Sequence, residues 1–475
     1  MSIEKKLLGT SPSGGDAPNV EDVFSTYLYT GTGSSLTITN GIDLAGEGGL
    51  VWTKRRTSAN SNWFLDSVRG GTQIIRSNTT EGQFTSSGLE ITSFNSDGYT
   101  IGTASDINST SQDDVSWTFR KAPRFFDVVT YTGDGTAGRE IAHDLGVAPG
   151  MMLVKVLSTA GNWAVYHKSL SATAHLRLNS TTAKTTPSAM WNNTAPTDAV
   201  LTLGTDTETN RTGATFVAYL FAHDPNGEDD DGMIACGSYT GNGSTNGSDI
   251  NLGWEPQYIL IKSATSVVEW QMYDTMRGVV SGGTDKVLHP NTSDAEYAQD
   301  VIEFTATGFR AKNNVSNTNA SGQTYIYMAI RAPMMVEPEA GTEVFAVDTL
   351  GSTGDGKTPG FRAGFPVDMA FFRDVPSADF ASIGSRLTGD NVMYTSGTDI
   401  EQNLGFSGDN NIGWYASGGT NSTRYSWMFK RAKGFFDVVA YTGDGVVGRT
   451  VNHSLGVVPE MMIVKNRTTA GYGWG

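Results

Sequence analysis

The sequence predicts an all-β protein made of tandem antiparallel β-sandwich modules. Only 17% of the 475 residues are charged and 57 are glycine, and turn-forming residues separate short runs rich in Val, Ile, Tyr, Phe and Trp. No long stretch carries apolar residues at helical spacing. The same landmarks also recur along the chain, which is the pattern of a repeated unit.

The clearest repeat is a stretch of about thirty residues that occurs twice. FFDVVTYTGDGTAGREIAHDLGVAPGMMLVK begins at Phe125, and FFDVVAYTGDGVVGRTVNHSLGVVPEMMIVK begins at Phe435, which is 310 residues later (435 − 125). Aligning residues 121–155 with residues 431–465 gives 22 identities in 35 positions. Fainter copies lie between the two and before the first.

Each copy is predicted to open on a strand that ends in a Gly-rich turn. The turns read YTGTG at Tyr29, YTGDG at Tyr131, YTGNG at Tyr239, STGDG at Ser352 and YTGDG at Tyr441. They are spaced by 89 to 113 residues, which is the length of a domain and too long for a solenoid repeat.

Two further landmarks complete the repeated unit. An apolar strand ends in a basic residue, as in GLVWTKRR from Gly49 and GMMLVKVL from Gly150, and an aromatic residue follows some ten positions later. Each unit closes on an alternating strand, in VSWTFRKAP, TFVAYLFAHDP, TYIYMAIRAP and RYSWMFKRA, which start at Val115, Thr215, Thr324 and Arg424. Such alternation is what a strand with one buried face requires.

These landmarks divide the chain into an extended N-terminal arm, four β-sandwich modules and the start of an incomplete fifth: 1–24, 25–127, 128–232, 233–346, 347–437 and 438–475. The divergent fourth module is the counterpart of the first. Two strands cannot close a sandwich, so we expect that the natural chain continues, or alternatively that these strands complete another subunit's sheet. Linkers such as FFDV, which lack a Pro/Ser hinge, predict a stiff rod.

Composition excludes several functional classes. The net charge of −16 and the pI near 4.8 argue against a nucleic-acid partner, because phosphate binding needs clustered Lys and Arg. A single cysteine, Cys236, excludes an internal disulfide framework and a cysteine metal site. The N-terminus lacks the apolar segment of a signal peptide, and no stretch predicts membrane insertion. We therefore expect synthesis in a cytosol and release by another route, such as lysis.

The histidines near the repeated turns are interpreted as structural. His143 and His453 lie in AHDLG and NHSLG, but the corresponding positions in sibling modules are Asn251 and Asn40. A polar turn residue satisfies all four places, so this role is favoured over that of a general base.

Two other recurring sets invite a functional interpretation. Asp66 and Arg69 in DSVRGG recur as Asp274 and Arg277 in DTMRGV, and an ion pair within each module is favoured over a ligand site. Three tryptophans that could stack on sugar rings are instead expected to pack in cores or at strand edges: Trp63, Trp163 and Trp270.

No motif predicts chemistry. The segments DPNGEDDDG at Asp224 and SNTNASG at Ser316 carry oxygen ligands for calcium but lack EF-hand spacing. Asp127 and Asp437 in FFDV are expected in turns or interfaces. HExxH, GxSxG, P-loop and CxxC motifs do not occur in the sequence. We therefore expect no enzyme, no catalytic residue, no cofactor and no bound metal.

The combined series of landmarks resembles a known family of modules. YTGTGSSLTITNGIDLAGEGGLVWTKRR, NWFLDSVRGG, ITSFNSDGYTIG and VSWTFRKAP are similar to modules of tail-fibre-like virion structural proteins of marine bacteriophages, including cyanophages. The likeness runs from about Val23 to the end. It implies jelly-roll sandwiches of the concanavalin or laminin-G kind and supplies no catalytic residue.

The resemblance implies a function on the outside of a virion. The leading interpretation is a tail fibre or tail-associated spacer and adhesin, made in the host cytoplasm, released by lysis and placed on the tail exterior. The chain is expected to bind its own copies as a homo-oligomer, and the resemblance implies a trimer. Its other expected partners are a tail adaptor, nozzle or baseplate protein and a host-surface glycan or protein. The docking residues would be Lys5, Lys6, Leu7, Leu8, Asp22, Val23 and Phe24. The alternatives are a capsid appendage or carbohydrate-binding decoration protein and, third, a polysaccharide depolymerase.

Overall fold

The computed structural model describes residues 18–86, 89–187, 189–227, 231–349, 360–375, 381–416 and 423–475. The chain is all-β, as predicted, and its strands pair antiparallel. The helices of the described residues are single turns: α1 (Val20–Val23), α2 (Ser105–Asn108), α3 (Thr207–Asn210) and the 3-10 turns Lys168–Leu170, Gly341–Glu343 and Arg386–Thr388.

Module 1 is a sandwich of a five-stranded and a three-stranded sheet. Its strands are β1 (Phe24–Thr30), β2 (Leu36–Thr39), β3 (Gly49–Arg55), β4 (Asn62–Asp66), β5 (Ile75–Arg76), β6 (Ile91–Asn95), β7 (Gly98–Ile101) and β8 (Asp113–Arg120). The large sheet has the order β1-β8-β3-β4-β5 and the small sheet β2-β7-β6. The predicted closing strand, β8, lies second from the edge, where it pairs with both β1 and β3.

Module 2 repeats this arrangement. Its strands are β9 (Phe126–Thr132), β10 (Arg139–Ala142), β11 (Pro149–Val156), β12 (Trp163–His167), β13 (Leu176–Arg177), β14 (Val200–Leu203) and β15 (Thr215–Ala222). The large sheet has the order β13-β12-β11-β15-β9, and β10 pairs with β14. The closing strand β15 therefore lies between β9 and β11.

Module 3 has a four-stranded sheet in the order β16-β24-β18-β19, a three-stranded sheet in the order β17-β23-β22 and the pair β20-β21. Its strands are β16 (Ile234–Thr240), β17 (Asp249–Asn251), β18 (Pro256–Ser263), β19 (Gln271–Asp274), β20 (Asp285–Val287), β21 (Tyr297–Gln299), β22 (Ile302–Thr305), β23 (Gly308–Ala311) and β24 (Thr324–Arg331).

Module 4 has a six-stranded sheet in the order β25-β33-β27-β28-β29-β30 and a three-stranded sheet in the order β26-β32-β31. Its strands are β25 (Phe345–Thr349), β26 (Phe361–Arg362), β27 (Met369–Asp374), β28 (Ser382–Ser385), β29 (Asn391–Tyr394), β30 (Gln402–Asn403), β31 (Phe406–Ser407), β32 (Gly413–Ala416) and β33 (Arg424–Phe429). Residues 438–475, which we call the C-terminal segment, are all described and contain no strand.

The repeated Gly-rich turn has one structural explanation in the first three modules. The tyrosine hydroxyl at its start donates to a carbonyl just before the closing strand, as Tyr29 does to Ile107 at 2.8 Å and Tyr131 to Thr209 at 2.6 Å. The next glycine packs directly on the main chain, because a Cβ on Gly31 would stand 2.2 Å from a carbonyl oxygen. The fourth copy, at Ser352, lies outside the described residues.

The large sheets of modules 1 to 3 are buried on both faces. In module 1, Val51 and Leu65 face the module's own small sheet, in a core that also holds Ile38 and Tyr99. The opposite face contributes Trp52 and other residues to one continuous core shared by modules 1, 2 and 3. Modules 1 to 3 therefore pack around a common centre, and the predicted rod is wrong for this part of the chain.

Candidate functional site: the seams between modules

Three side chains at one position of the module connect each module to its neighbour. In the ladders, Lys54 pairs with Asn62 and Lys155 with Trp163. The pairing of Ile261 with Gln271 places Trp270 at the same position in module 3. The sequence interpretation that grouped Trp63 with Trp163 and Trp270 was thus wrong by one residue, since Trp63 faces the core of its own module, where it is buried as predicted.

Each of these side chains donates a hydrogen bond to a main-chain carbonyl of a neighbouring module. Trp163 Nε1 lies 2.8 Å from the carbonyl oxygen of Arg76 in module 1, and Trp270 Nε1 lies 3.1 Å from that of Arg177 in module 2. Asn62 Nδ2 of module 1 donates to His289 of module 3 at 3.1 Å. Because the third contact joins module 3 back to module 1, the three seams close a ring.

Three buried lysines follow the same cyclic order. Lys155 Nζ donates to Thr80 O of module 1 at 3.2 Å, and Lys262 Nζ to Thr181 O of module 2 at 3.1 Å. Lys54 Nζ donates to Ser293 O of module 3 at 2.9 Å. Burial lowers the pKa of each of these three lysines to about 8, because the charged form loses its hydration. The carbonyl oxygens that accept from each ammonium offset part of this cost.

A second polar contact lies deeper in each seam, near the shared centre. Tyr219 of module 2 donates to Asp66 Oδ2 of module 1 at 2.7 Å. Trp117 Nε1 of module 1 donates to Asp274 Oδ2 of module 3 at 3.0 Å. These pairs satisfy carboxylates that are 0% exposed, and buried polar groups need such partners.

The remaining seam uses a histidine where the others use an aspartate. His167 lies 101 residues after Asp66 (167 − 66), and its Nε2 is 3.0 Å from Tyr327 O of module 3. Its Nδ1 accepts from Ser169 N at 3.2 Å. These two contacts fit a neutral imidazole protonated at Nε2, and burial lowers the pKa of His167 to about 4.

The predicted ion pairs are confirmed, and they belong to these seams. Arg69 Nε lies 2.6 Å from Asp66 Oδ2, and Arg277 Nε lies 2.6 Å from Asp274 Oδ2. The guanidinium of Arg277 also stacks on the Trp117 ring, 5.4 Å from its centroid. Sequence reasoning found the pairs within a module but missed their partners in the neighbouring module.

The predicted role of the turn histidines is also confirmed. In all four places the side chain accepts a hydrogen bond from the main-chain N–H two residues later: His143 at 3.3 Å, His453 at 3.2 Å, Asn40 at 3.2 Å and Asn251 at 2.9 Å. Since imidazole and amide perform the same task, this position serves the turn.

The C-terminal segment docks on module 4 through a copy of the seam between modules 1 and 2. Trp474 Nε1 donates to Tyr394 O at 2.9 Å, as Trp163 does to its neighbour. Gly471 N donates to Thr398 O at 2.9 Å, which repeats the 2.8 Å contact from Gly161. Gly471 lies 310 residues after Gly161 (471 − 161), and Trp474 lies 311 residues after Trp163 (474 − 163), because the segment has one extra residue between the glycine and the tryptophan. Module 4 and the segment thus repeat the geometry of modules 1 and 2, in agreement with the predicted correspondence of modules 4 and 1.

Modules 2 and 3 cover one face of the large sheet of module 1, and the corresponding face of module 4 is exposed. Trp117 is 0% exposed, whereas its counterpart Trp427, 310 residues later (427 − 117), is 36% exposed. We define the module 4 face by its exposed apolar side chains, Phe345, Val347, Tyr425 and Trp427. These four side chains lie on β25 and β33, which pair in the large sheet of module 4.

Ion pairs fix module 4 to the ring. Arg56 of module 1 contacts Glu296 of module 3 and Asp409 of module 4, each at 2.8 Å. Burial alone would lower the pKa of Arg56, but the two carboxylates raise it above its usual value. Arg431, near the end of module 4, pairs with Glu255 of module 3.

Three of the predicted docking residues, Asp22, Val23 and Phe24, are described by the structure and lie at the start of module 1. Val23 and Phe24 are buried in the shared core, where the Phe24 ring lies 5.6 Å from that of Tyr258. Asp22 Oδ2 accepts from Asn19 N at 3.0 Å. These residues thus stabilise the start of module 1. The other predicted docking residues, Lys5, Lys6, Leu7 and Leu8, lie outside the described residues.

Two polar side chains at one cleft, Glu255 and His453, already have hydrogen-bond partners. The cleft has a volume of about 550 Å³ and lies between module 3 and the C-terminal segment, with Trp254 and Lys433 in its wall. Glu255 there binds Arg431, and His453 accepts from its own turn. In the described ranges no group of three or more His, Cys, Asp and Glu could hold a metal ion. Of the two calcium candidates, the one at Asp224 falls partly on residues outside the description.

These features define a class of protein: a repeated β-sandwich chain in which buried indoles, buried lysines and several ion pairs join one module to the next. The chain belongs to the family described as "Domain of unknown function (DUF7483)", which matches residues 19–333 and 385–474. No curated protein matches the chain. Among the helices of the described residues, none is long and apolar enough to cross a membrane.

Proposed function

We propose that this chain is a bacteriophage virion structural protein, a tail fibre or tail-associated spacer and adhesin on the tail exterior. The observation that carries the proposal is the use of one contact set at the three seams of the ring and again at the seam between module 4 and the C-terminal segment. A repeated joint is a device for extending an assembly, because each added module finds a prepared surface.

The chemistry of the polar groups supports a structural role. Carboxylates such as Asp66 and Asp274, which could serve as acids or bases, are buried against Arg and an aromatic donor of a neighbouring module. An acid or base in catalysis has to reach a substrate. Resemblance to virion modules supplies the biological setting.

The proposed partners follow the same setting. The arm at residues 1–24 would dock on a tail adaptor, nozzle or baseplate protein, and outer loops of the modules would contact a host-surface glycan or protein. Several weak sites on one particle raise the overall affinity without a strong individual site. A homotrimer of chains is proposed from the resemblance, although the ring already places three modules around one centre within a single chain.

A reconstruction of the particle by cryo-electron microscopy, at a resolution that traces residues 18–60, tests the location. We expect the start of module 1 to lie near tail proteins, with the other modules directed outward. Density for the ring on the capsid shell instead would show a decoration protein. Release of reducing ends from host polysaccharide by the pure chain would contradict the structural role and support a depolymerase.

A further inference from the structure

A cleft lies between modules 3 and 4, where a loop of module 3 meets the 3-10 turn Arg386–Thr388 of module 4. Ser281 N donates to Leu387 O at 2.9 Å across this contact. The packing is close, because a Cβ on Gly389 would stand 2.9 Å from Val280 Cγ2. The cleft beside this contact has a volume of about 420 Å³, which is in the range of small-molecule sites.

One cation in the wall of this cleft, Arg386, uses only part of its hydrogen-bonding capacity. The residue is 9% exposed, and its two Nη atoms donate to Met276 O and Val367 O over long distances, 3.4 and 3.3 Å. Its Nε has no hydrogen-bond partner in the part of the chain that the structure describes, and the Asp368 carboxylate is 3.6 Å away, too far for a hydrogen bond. Each Nη carries a second N–H, so the guanidinium keeps donors for an anionic ligand.

A change in the repeated Asp–Arg motif explains the state of Arg386. In the ladders, Ser385 of module 4 has the position that Asp274 has in module 3. Three residues later, where module 3 has Arg277, module 4 has Thr388. The hydroxyls of Ser385 and Thr388 lie 3.3 Å apart, so a short polar pair replaces the buried ion pair. Arg386, the residue after Ser385, is thus a cation without the aspartate of the motif.

The wall of the cleft is positively charged once its close ion pairs are set aside. Arg277 is paired with Asp274 at 2.6 Å, and Asp409 with Arg56 at 2.8 Å. The other charged side chains of the wall are two cations and one carboxylate: Arg386, Lys286 and Asp390. A ligand with one negative charge complements this set.

The uncharged part of the wall suits a ligand with several hydroxyl groups. Thr284, Asp390 and Asn403 are exposed and line the cleft together with the half-buried Ser407. A carboxylate accepts hydrogen bonds from hydroxyls, whereas an amide and a hydroxyl each both donate and accept. A carboxylate for the cations and hydroxyls for these side chains are combined in one class of small molecule, the acidic saccharides.

We propose that the cleft between modules 3 and 4 binds an acidic saccharide. The carboxylate of the ligand binds Arg386 and Lys286, since a guanidinium offers a planar set of donors and an ammonium adds a point charge. The ring hydroxyls bind Asp390, Asn403 and Thr284. The biological setting of this inference rests on the proposed function, in which a host-surface glycan supplies the saccharide, but the binding itself is tested on the pure chain.

The test titrates the full chain, by ligand-observed NMR, with the homodisaccharides of glucuronic, galacturonic, mannuronic and guluronic acid. We expect saturable binding of at least one of these acids with a Kd below about 1 mM. Its carboxyl-reduced form keeps the ring hydroxyls and should bind roughly ten-fold or more weakly, because it loses the charge-assisted hydrogen bonds. Cyclohexanecarboxylate, a carboxylate without hydroxyls, should also bind about ten-fold or more weakly.

Variants of two accessible residues make the test specific to the cleft, because Arg386 also contacts the main chain of both modules. Lys286→Gln, at a half-buried position, should weaken binding of the acid about ten-fold. Asn403→Ala, at an exposed position, should weaken it roughly five-fold. Lys184→Gln is the matched control, since this lysine of module 2 is exposed outside the cleft, and binding should be unchanged. The urea midpoints of all variants should stay near that of the wild type.

Absence of saturable binding of all the acids up to about 10 mM would overturn the proposal. Equal binding of an acid and its reduced form, equal binding of an acid and cyclohexanecarboxylate, or equal loss with Lys286→Gln and Lys184→Gln would also overturn it. These results leave the place of the chain on a particle untouched. A chain on the tail that fails them loses only this inference, and a chain that passes them but lies on the capsid loses only the proposed location.

Discussion

Trp117 and Trp427 offer a matched pair for testing the shared centre of the ring. They occupy the same position of modules 1 and 4, but Trp117 is 0% exposed and donates to Asp274 of module 3, whereas Trp427 is 36% exposed. We predict that Trp117→Phe destabilises the ring by about 2–4 kcal/mol and that Trp427→Phe costs about 1 kcal/mol or less.

The magnitude for Trp117→Phe follows from three contacts. Loss of the 3.0 Å hydrogen bond to the carboxylate costs about 1.5–3 kcal/mol. The weaker stacking of Arg277 on a phenyl ring adds up to about 1 kcal/mol. Asp274 keeps its 2.6 Å contact with Arg277, so the larger cost of a buried unpaired charge, about 3–5 kcal/mol, is avoided.

Urea unfolding followed by tryptophan fluorescence and far-UV circular dichroism measures the effect. For a slope of roughly 3 kcal/mol/M, the Trp117→Phe midpoint should fall by about 1 M, and the Trp427→Phe midpoint by a third of that or less. Both variants should keep the native spectrum in water. Equal shifts in the two variants, or no shift with Trp117→Phe, would refute the closed ring.

Two further predictions address the seams. Lys155→Met should lower the free energy of unfolding by about 1.5–3 kcal/mol, because it removes a charged donor that crosses the seam. Lys465→Met should leave it nearly unchanged, since Lys465 donates only to carbonyls of its own segment. Urea midpoints that fall equally in the two variants would contradict this prediction. Burial lowers the pKa of His167 from 6.5 in the unfolded chain to about 4 in the folded chain. Its contribution to the free energy of unfolding is therefore complete above pH 6.5 and is lost as the pH falls toward 4. That loss is roughly 3 kcal/mol. His167→Gln keeps a donor for Tyr327 O but does not titrate, so the urea midpoint of this variant should depend less steeply on pH between 6.5 and 4. The control is His453→Gln, at an exposed position, which should show the pH dependence of the wild type. Parallel pH profiles for all three proteins would show that His167 does not carry the effect.

Much of the module could be predicted from the sequence because its determinants are local. The Tyr-Gly turn recurs since the tyrosine hydroxyl and the missing Cβ both serve the same main-chain contact. The ion pair of Asp66 and Arg69 was visible because its members are three residues apart. The closing strands lie where they were predicted, but the prediction of one buried face is wrong for β8, β15 and β24, whose interior residues are buried on both faces because a neighbouring module covers the second face.

The ring could not be predicted from these local patterns, although one signal pointed to it. Strands such as β11 and β15 are apolar at nearly every position, and a strand buried on both faces needs a second covering layer. The sequence does not say which surface provides that layer. The error at Trp63 has a similar origin, because the aromatic residue was located by spacing, whereas the ladder with Lys54 defines the true equivalent as Asn62.

The seams also explain why the modules could diverge while keeping their arrangement. The contacts that every seam shares end on main-chain carbonyls, those of Arg76, Arg177, His289 and Tyr394, and a carbonyl is present whatever the side chain. The donor can then be Trp or Asn. At two seams the deeper contact depends on side chains at both ends, because an aspartate accepts from the hydroxyl of Tyr219 or from the indole of Trp117. At the third seam the equivalent residue is Met328, whose thioether lacks a donor, and His167 instead contacts the main-chain carbonyl of Tyr327. A change at one end of this contact therefore requires a change in the neighbouring module, and that coupling makes the order of modules in the chain part of the fold.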